Sequence, residues 1–529
     1  MTKEKTPKKS KAPKEERLED ILMSCRNHLR GRAPMTDKRD LLLSLVFLKF
    51  ISDRFEEQKE KILAENREDP ELAKLALANP AFFRKDGVFF LKPEYDWRQL
   101  SLLPAARMAL AFDNALSRLE QEEPSLRNAL PQQIFSNTQL EPSVLKAVVD
   151  DIEKIDRRRF HDRDLIGRVY EYFLQAFSIN ADKEEGEFYT PHCVVELIAA
   201  LIEPYDGTIY DPCCGSGGMF VQSLRHIEEN GGDRRTVNVY GQESEPATFR
   251  LAKMNLAVRG ISYHLGDHAA SSFTDDQHKD LRADYIMANP PFNLKKWRKA
   301  DELTKDPRWA GYAVPPESNA NYAWILHMLA HLNVARGRAG FLLANGALDD
   351  ADTLEIRQKL LENDKVEAIV VLPREMFYST DISVTLWILN NDKRGGRLNG
   401  RAMRDRSGEV LFVDLRTWNE NIYEKKFVQL LPEQIARVRG IVETWRTAKG
   451  AADGYAEPEL YRAVPLAEIA EKGFSLVPSR YIEFVDRDET LDWRTALRDA
   501  GAAAKALLQR QEENAGKLRE ALAELGVEP

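Results

Sequence analysis

Short apolar runs alternate with helix-like segments through the middle of the 529-residue chain, and this alternation constrains the fold more than any other feature. The runs have the length of buried strands, and the segments between them carry apolar residues at helical spacing. The strand-like runs are 208–210, 237–240, 283–288, 339–343 and 366–372, with an alternating run at 381–389, and the helix-like segments are 194–202, 219–228, 246–258, 322–334 and 353–361. Such alternation predicts an α/β fold with a mostly parallel sheet covered on both faces.

Helical patterning flanks this α/β region on both sides. Residues 1–16 are Lys-rich and nearly free of apolar side chains, which predicts a disordered basic tail. Residues 17–155 predict a helical N-terminal domain, and 156–430 hold the α/β domain. Residues 431–529 predict a helical region. Its last stretch, 493–525, is amphipathic and suits either a partner-binding face or packing onto its own domain.

Composition sets the broad class of protein. A hydrophobic content of 43% with 30% charged residues is typical of a globular protein. No apolar run reaches the roughly 18 residues that a membrane helix needs, and the N-terminus lacks the apolar core of a signal peptide. Four cysteines do not make a disulfide framework, and the adjacent pair Cys213–Cys214 has the wrong spacing for zinc. We therefore expect a cytoplasmic protein with reduced cysteines, no metal site and no membrane partner.

The charge balance argues against a protein that coats nucleic acid unaided. The formal net charge is −9, whereas phosphate neutralisation normally supplies most of the non-specific affinity for DNA. A local basic face or a second protein could supply the attraction instead. The Gly- and Arg-rich stretch 391–407 fits either a phosphate contact or a solvated loop, and the sequence does not decide between them.

A glycine-rich loop follows the first strand-like run and opens a helix-like segment. Its glycines permit a tight turn with close backbone approach to a ligand, and the helix N-terminus favours a carboxylate. In an open α/β sheet this first turn lies where ligands bind. The Gly-Lys-Ser/Thr ending of a phosphate-binding loop is missing, so ATP is not expected. The candidate binding residues are Asp211, Gly215, Ser216, Gly217 and Gly218.

Three later strand ends carry polar side chains in chain order. Glu243 follows the second run and can accept both hydroxyls of a ribose, and Asp267 is placed to accept from an adenine amine. The fourth run ends at Asn289. Because the carboxyl ends of parallel strands lie at one edge of a sheet, we expect these residues and the glycine loop to line a single crevice.

The turn Asn289-Pro290-Pro291-Phe292 is where we expect the chemistry. Its prolines end the strand and stiffen the turn. Asn289 offers a carbonyl acceptor, the carbonyl of Pro290 is a second acceptor, and Phe292 adds a flat apolar face. This set suits a planar ligand with an exocyclic amine. Taken alone, it fits an ordinary strand-ending turn equally well.

In this order the motifs resemble S-adenosylmethionine-dependent amino-methyltransferases that act on adenine N6 in DNA, which implies a Rossmann-like domain. An upstream segment resembles the Phe-Tyr-Thr-Pro motif that lines the methionine end of the cofactor in such enzymes. Its residues are Glu187, Phe188, Tyr189, Thr190, Pro191 and His192. One departure is Cys213–Cys214 before Gly215, where small residues are more usual; only the glycines need the special backbone geometry.

The flanking regions narrow the resemblance. A large helical N-terminal domain, helical C-terminal segments and no evident target-recognition domain resemble the modification subunit of type I restriction-modification systems. The segment 473–481 resembles a C-terminal motif of that subunit. The resemblance implies double-stranded DNA as substrate and a specificity subunit as partner, with two modification subunits per specificity subunit. Whether a restriction nuclease subunit accompanies them is left open.

The resemblance also implies a mechanism. The methyl group on the sulfonium is already activated, so no metal is required. The adenine amine attacks this methyl group in line with the carbon–sulfur bond. Asn289 and Pro290 accept hydrogen bonds from the N–H groups of the amine. Two other functions stay open on the sequence: a stand-alone or other defence-system DNA methyltransferase, and a protein or RNA amino-methyltransferase. A silent, cofactor-binding scaffold fits the complete motif set less well.

Overall fold

The first part of the chain is helical. The computed structural model describes residues 17–155, 165, 169, 172–173, 190–377, 383–398, 400–423, 427–448, 454–485 and 493–524. The first helices are α1 (Leu18–His28), α2 (Met35–Glu65), α3 (Pro70–Ala78), α4 (Ala81–Arg84), α5 (Trp97–Leu100), α6 (Ala105–Glu122), α7 (Ile134–Asn137) and α8 (Pro142–Glu153). The sequence prediction of a helical N-terminal region is confirmed, whereas the basic tail lies outside the described residues.

The central helix of this region is α2. From Leu41 to Ile51 the side chains are buried on every face of the helix. A helix that is apolar on all of its faces needs packing partners on all of them. The one cation in the stretch, Lys49, is neutralised by Asp53, with 2.6 Å between Nζ and Oδ2. The other helices therefore pack around α2, which holds the core of the region together.

The α/β part of the chain contains one large sheet. Its strands are β1 (Gly207–Asp211), β2 (Val237–Gly241), β3 (Tyr263–His264), β4 (Tyr285–Ala288), β5 (Arg338–Ala344), β6 (Val366–Val371), β7 (Val384–Asn390), β10 (Glu409–Asp414), β13 (Ala456–Glu457) and β14 (Tyr461–Pro465). Within the described residues their spatial order is β13-β14-β10-β6-β7-β5-β4-β1-β2-β3. Two small antiparallel ribbons stand apart from it: β8 (Gly396–Leu398) with β9 (Arg401–Met403), and β11 (Ile422–Tyr423) with β12 (Phe427–Val428).

The first five strands are parallel, and β1 lies between β2 and β4. The winding direction thus reverses between β1 and β4, and this switch point is where ligands bind in open α/β sheets. The sequence predicted a hairpin or edge strand near 381–389. The strand β7 is antiparallel to β6, as a hairpin requires, but the edge alternative is wrong because β7 lies between β5 and β6. Its side chains are buried on both faces.

Helices cover both faces of the sheet, and each face has its own core. They are α9 (His192–Ile202), α10 (Gly218–Glu229), α11 (Pro246–Val258), α12 (Asn321–His331), α13 (Leu354–Glu362), α14 (Pro432–Thr447) and α15 (Leu466–Glu471). The predicted Rossmann-like architecture is confirmed. On one face α9 approaches β5 so closely that a Cβ at Gly340 would lie 2.7 Å from Ile198, which explains the glycine.

The helical region docks on α11 and the adjacent sheet edge. Side chains of α11 such as Leu251 and Met254 belong to the hydrophobic core of the N-terminal helices. Polar contacts seal the junction: Arg54 donates to the Val258 carbonyl at 3.0 Å, and Lys253 donates to the Arg127 carbonyl at 2.7 Å. The N-terminal region and the sheet therefore share one helix as a common wall.

The prediction of an entirely helical region after residue 431 was wrong. The helix α14 packs against α9, and β14 then extends the sheet by pairing with β10. The sequence signal failed because β14 is short and mostly half-exposed, so its pairing rather than its pattern makes it a strand. No structural break occurs at residue 430. A final helix, α16 (Trp493–Glu524), does follow, as the amphipathic stretch predicted.

None of the helices in the described ranges combines the length and the apolar character that spanning a bilayer requires.

A buried ionic cluster fixes α14 to the sheet. Glu367 of β6 is fully buried, 2.7 Å from the Nη2 atom of Arg446 and 3.3 Å from that of Arg406. Burial alone would raise the pKa of Glu367, but the charges of Arg446, Arg406 and Arg338 lower it below its ordinary value. Arg446 also donates to the carbonyl of Leu201 at the end of α9, at 2.6 Å. One carboxylate thus balances several buried guanidinium groups.

We expect Glu367→Ala to destabilise the protein by about 3–5 kcal/mol, because removal of one partner leaves the buried charges uncompensated. Denaturant unfolding followed by tryptophan fluorescence measures the change, and Trp445 on α14 is a local reporter. The matched control is Glu362→Ala, since Glu362 pairs with Lys359 on the surface. Equal unfolding midpoints for the two variants would contradict this role for Glu367.

Candidate active site

The glycine loop closes against the end of β2. Gly215 and Gly217 have φ of +54° and +77°, in the left-handed region where a side chain is strained. The backbone N–H of Cys214 donates to the Gln242 carbonyl at 3.0 Å, and α10 begins directly afterwards at Gly218. The loop therefore presents backbone and a helix N-terminus, with little side chain, to the space above β1.

Two carboxylates lie beneath this loop. Glu243 accepts hydrogen bonds from the backbone N–H groups of Gly215 and Glu245, at 3.0 and 2.8 Å. Asp211 is 2% exposed and accepts from the backbone N–H of Cys213 at 3.0 Å. Burial raises the pKa of Asp211 to about 7 and raises the pKa of Glu243 above its ordinary value. Both side chains therefore favour a cationic or hydrogen-bond-donating ligand that restores their charged forms.

Asp267 lies at the mouth of a cleft of about 900 Å³ between the loop 124–128 and the β2–β3 edge of the sheet. Its backbone N–H donates to the Gln277 side-chain oxygen at 2.6 Å. Gly266 has φ of +83°, and a Cβ there would lie 2.5 Å from the same oxygen. The Asp267 side chain is exposed, so it is free to accept from a ligand in the cleft.

Asn289 follows β4 and lies next to the first strand of the sheet. Its Nδ2 donates to the hydroxyl of Thr190 at 2.9 Å. Its Oδ1 is buried, and no donor among the described residues bonds to it. Because an unpartnered buried carbonyl is costly, this oxygen is an acceptor that a ligand can satisfy.

The rest of the turn is held on both sides. The ring of Phe292 is half-buried and meets Phe377 edge-on, with 6.3 Å between centroids. In the described part of the chain no donor bonds to the carbonyl of Pro290. Beyond the turn, Asn293 and Asn321 exchange two hydrogen bonds, of 3.0 and 2.9 Å. These contacts fix the turn in place while leaving its acceptors available.

The upstream motif is described only in part. Glu187, Phe188 and Tyr189 lie outside the described residues. Pro191 is buried ahead of α9, whereas the His192 side chain is 43% exposed and lies 3.7 Å from Glu196. The hydrogen bond from Asn289 thus brings Thr190 to the turn, a contact that the sequence did not reveal.

A buried cluster of Asp276, His327 and His331 has the residue types of a metal site. Both ring nitrogens of His327 are engaged, by the Tyr210 hydroxyl at 3.0 Å and by Arg308 at 2.9 Å. Burial lowers the pKa of His327 well below its ordinary value, so the ring is neutral and accepts from Arg308. The positive charge of Arg308, 3.9 Å from Asp276, already compensates the carboxylate. The cluster therefore anchors the loop that carries Arg308.

The basic stretch 391–407 lies at the edge of the sheet opposite the candidate site. Arg401 pairs with Glu203 and Glu443, and Arg404 pairs with Glu409 at 2.7 Å. Since Arg406 joins the Glu367 cluster, these three guanidinium groups hold the protein together. For these three arginines, neither of the alternatives that the sequence left open, a phosphate contact or a solvated loop, is correct.

Comparison with known proteins shows which family the chain belongs to. A model of N-6 DNA methylases matches residues 161–490, and one of the HsdM N-terminal domain matches 18–152. The type I restriction enzyme MjaIX methylase subunit of Methanocaldococcus jannaschii is 32% identical over 528 residues, 96% of this chain and 91% of that protein. The chain belongs to the N-6 DNA methylase family, among the type I restriction enzyme methylase subunits.

Two further relatives agree with this assignment. The HindI methylase subunit of Haemophilus influenzae is 37% identical over 370 residues, 69% of this chain and 79% of that protein. The fold is shared with the type I restriction-modification methyltransferase subunit of Streptococcus thermophilus, at a TM-score of 0.69 and 22% identity over 88% of this chain and 98% of that one.

As an N-6 DNA methylase, the chain transfers a methyl group from S-adenosylmethionine to the N6 amine of adenine in DNA. The residues present fit this cofactor, because the carboxylates of Asp211 and Glu243 lie at the glycine loop, where a cationic, hydroxyl-bearing ligand would satisfy them. Gln277 positions the backbone of Asp267 but belongs to no motif, so the sequence alone does not single it out.

We expect Glu243→Ala to weaken cofactor binding at least about tenfold, since one charge-assisted hydrogen bond is worth about 1.5–3 kcal/mol. Titration calorimetry with S-adenosylmethionine measures it. Glu229→Ala, on the exposed end of α10, is the control and should bind normally. Unchanged affinity of Glu243→Ala would remove this residue from the site.

Cofactor affinity should also depend on pH. We expect the carboxylate forms of Glu243 and Asp211 to bind the cofactor, and both pKa values are raised, so affinity should fall as pH is lowered through them. Titrations at pH 8 and pH 6 test this, with Glu243→Gln expected to bind weakly at both and to show a flatter profile. A profile that rises toward acid would contradict the assignment.

Proposed function

We propose that Asn289 and Pro290 bind and orient the target amine, with Phe292 stacked on the base. The observation that carries this proposal is the buried Oδ1 of Asn289, followed in the chain by the carbonyl of Pro290; among the described residues no donor bonds to either oxygen. Together they supply acceptors for both N–H groups of an exocyclic amine. A base inside a duplex cannot reach this turn, so the adenine leaves the stack. Stacking on Phe292 contributes about 1–3 kcal/mol, by analogy with other base–aromatic contacts.

We propose that Asp211, the glycine loop, Glu243 and Asp267 bind the cofactor, and that Thr190, Pro191 and His192 lie at its methionine end. S-adenosylmethionine supplies a methyl group already activated on a sulfonium. The adenine nitrogen forms the new bond to carbon while the carbon–sulfur bond breaks, and the extra proton leaves to water. Asn289 and Pro290 favour a tetrahedral nitrogen and stabilise the positive charge that develops on it. Orientation along the sulfur–methyl axis supplies much of the rate.

We expect Asn289→Ala to lower the rate of methyl transfer by about 10²-fold or more, as removal of a preorganised electrostatic partner does in other enzymes. Cofactor affinity should stay near normal. The assay follows labelled methyl groups into DNA that lacks the modification, with Asn230→Ala on the surface as control. Near-normal turnover of Asn289→Ala would end this assignment.

The hydroxyl of Thr190 has a separate role in this scheme. Because it accepts from Nδ2, it turns the Oδ1 of Asn289 toward the base. We expect Thr190→Val to lower kcat about tenfold, the effect of about 1.4 kcal/mol in the transition state, and Thr190→Ser to restore it. A rise in the KM for cofactor with unchanged kcat would instead place Thr190 on the cofactor alone.

The chain acts with other subunits of a restriction-modification system and on DNA. We further propose two copies of this chain per specificity subunit, working in the cytoplasm on double-stranded DNA, with a restriction nuclease joining the complete complex. The specificity subunit then selects the sequence to be methylated.

The helix α16 is suited to bind that partner. It is 32 residues long, and its side chains are exposed along nearly its whole length. One stripe along this helix combines two series of residues, each with a spacing of seven. The first series is Leu497, Ala504, Gln511 and Leu518, and the second is Gly501, Leu508, Ala515 and Leu522. A repeat of this kind fits the seam of a coiled coil.

Removal of residues 493–529 should abolish assembly with the specificity subunit and leave cofactor affinity unchanged. Light scattering after size-exclusion chromatography measures the complex. Leu508→Asp with Leu518→Asp, in the stripe, should act like the deletion, whereas Arg510→Asp with Arg519→Asp, outside it, should assemble. Normal assembly of the deleted chain would exclude α16 as the contact.

A further inference from the structure

A dense basic segment follows the Asn-Pro-Pro-Phe turn directly. Residues 293–300 contain Lys295, Lys296, Arg298 and Lys299 and no acidic residue. Since β4 ends at the same edge as the cofactor loop, the segment lies beside the turn that is proposed to receive the base.

Trp297 and Arg298 anchor the segment to the rest of the protein. Trp297 is buried, donates to the Pro316 carbonyl at 2.9 Å, and packs on Phe273 with 4.7 Å between ring centroids. The guanidinium of Arg298 donates to backbone carbonyls of the same loop, including those of Lys299 at 2.9 Å and Pro315 at 3.0 Å. Arg298 is therefore used to shape the loop rather than to bind a ligand.

The three lysines are left exposed by this anchoring. Lys296 has φ of +54°, and its N–H donates to the Glu317 carbonyl at 3.2 Å, so its backbone conformation is fixed. Across the part of the chain that the structure describes, no carboxylate forms an ion pair with the ammonium groups of Lys295, Lys296 or Lys299. In the stretch 391–407, in contrast, Arg401, Arg404 and Arg406 form ion pairs within the protein.

We propose that Lys295, Lys296 and Lys299 bind the phosphates that flank the extruded adenine. This proposal rests on the assignment of the Asn289 turn as the target-base site. A nucleotide rotated out of the duplex carries its backbone toward the mouth of the pocket, where these ammonium groups are free. They also provide the local attraction that a chain of net charge −9 needs in order to hold DNA.

We expect the charge of these three lysines to affect the binding of DNA and no other step. Phosphate contacts position the duplex and carry no sequence information, so the effect should be the same for every target sequence. Each lost contact should reduce the salt dependence of DNA binding by about 0.9 in the slope of log affinity against log salt. Three contacts therefore predict a change of about 2–3 in that slope.

The test compares complexes of the full chain with its specificity subunit, with labelled S-adenosylmethionine and genomic DNA that lacks the modification. Lys295→Ala, Lys296→Ala and Lys299→Ala are combined in one variant. We expect its KM for DNA to rise about tenfold at physiological salt, with a flatter salt dependence. Its kcat at saturating DNA and its affinity for the cofactor should stay within about twofold of wild type. The triple lysine-to-arginine variant should restore KM.

A matched control removes three cations from the opposite edge of the sheet: Arg394→Ala, Arg397→Ala and Lys359→Ala. This variant has the same net charge and should keep the wild-type KM and slope. Identical KM and salt dependence in the lysine variant and the wild type, or an equal change in the control, would overturn the proposal. Failure of the wild-type complex to methylate DNA would instead refute the assignment of the target-base site.

Discussion

The parallel pairing of β1 with both β2 and β4 is the constraint on which the site depends. Because the three strands run the same way, the glycine loop, Glu243 and Asn289 emerge at one edge. The loop and Glu243 are then joined by a hydrogen bond of 3.0 Å. A strand inserted in the other direction between them, as β7 is between β5 and β6, would separate the carboxylate from the acceptor. The pairing of neighbouring strands thus brings residues that are far apart in the sequence to one edge of the sheet.

Sequence patterns predicted the parts of the molecule whose signals are local. The runs that became β1, β2, β4, β5 and β6 are apolar enough to be recognised alone. The candidate residues at their ends were singled out because they follow successive strands in order, since each turn alone is ordinary. The strand β14 escaped because half-exposed residues such as Tyr461 and Arg462 have no strand pattern of their own. Its place is decided by β10, about fifty residues earlier.

The same reason explains what was missed in the site. Thr190 and Asn289 are 99 positions apart, and only the packed fold shows that their side chains meet. For the arginines of 391–407 the sequence left a phosphate contact and a solvated loop equally open, because sequence displays charge but not the partners of that charge. Glu203, Glu367 and Glu443 are scattered through the chain, and the fold alone collects them around those arginines.

The helix α11, which the N-terminal region and the sheet share, limits how such a protein can be divided. It starts three residues after Glu243, and its other side fills the core of the N-terminal helices with Leu251, Met254 and Val258. A chain cut before the sheet would leave these apolar side chains in water, so the two regions cannot be inherited or expressed as separate modules without repair of that surface. Movement of the helical region relative to the sheet would also be transmitted to Glu243, which lies three residues before α11.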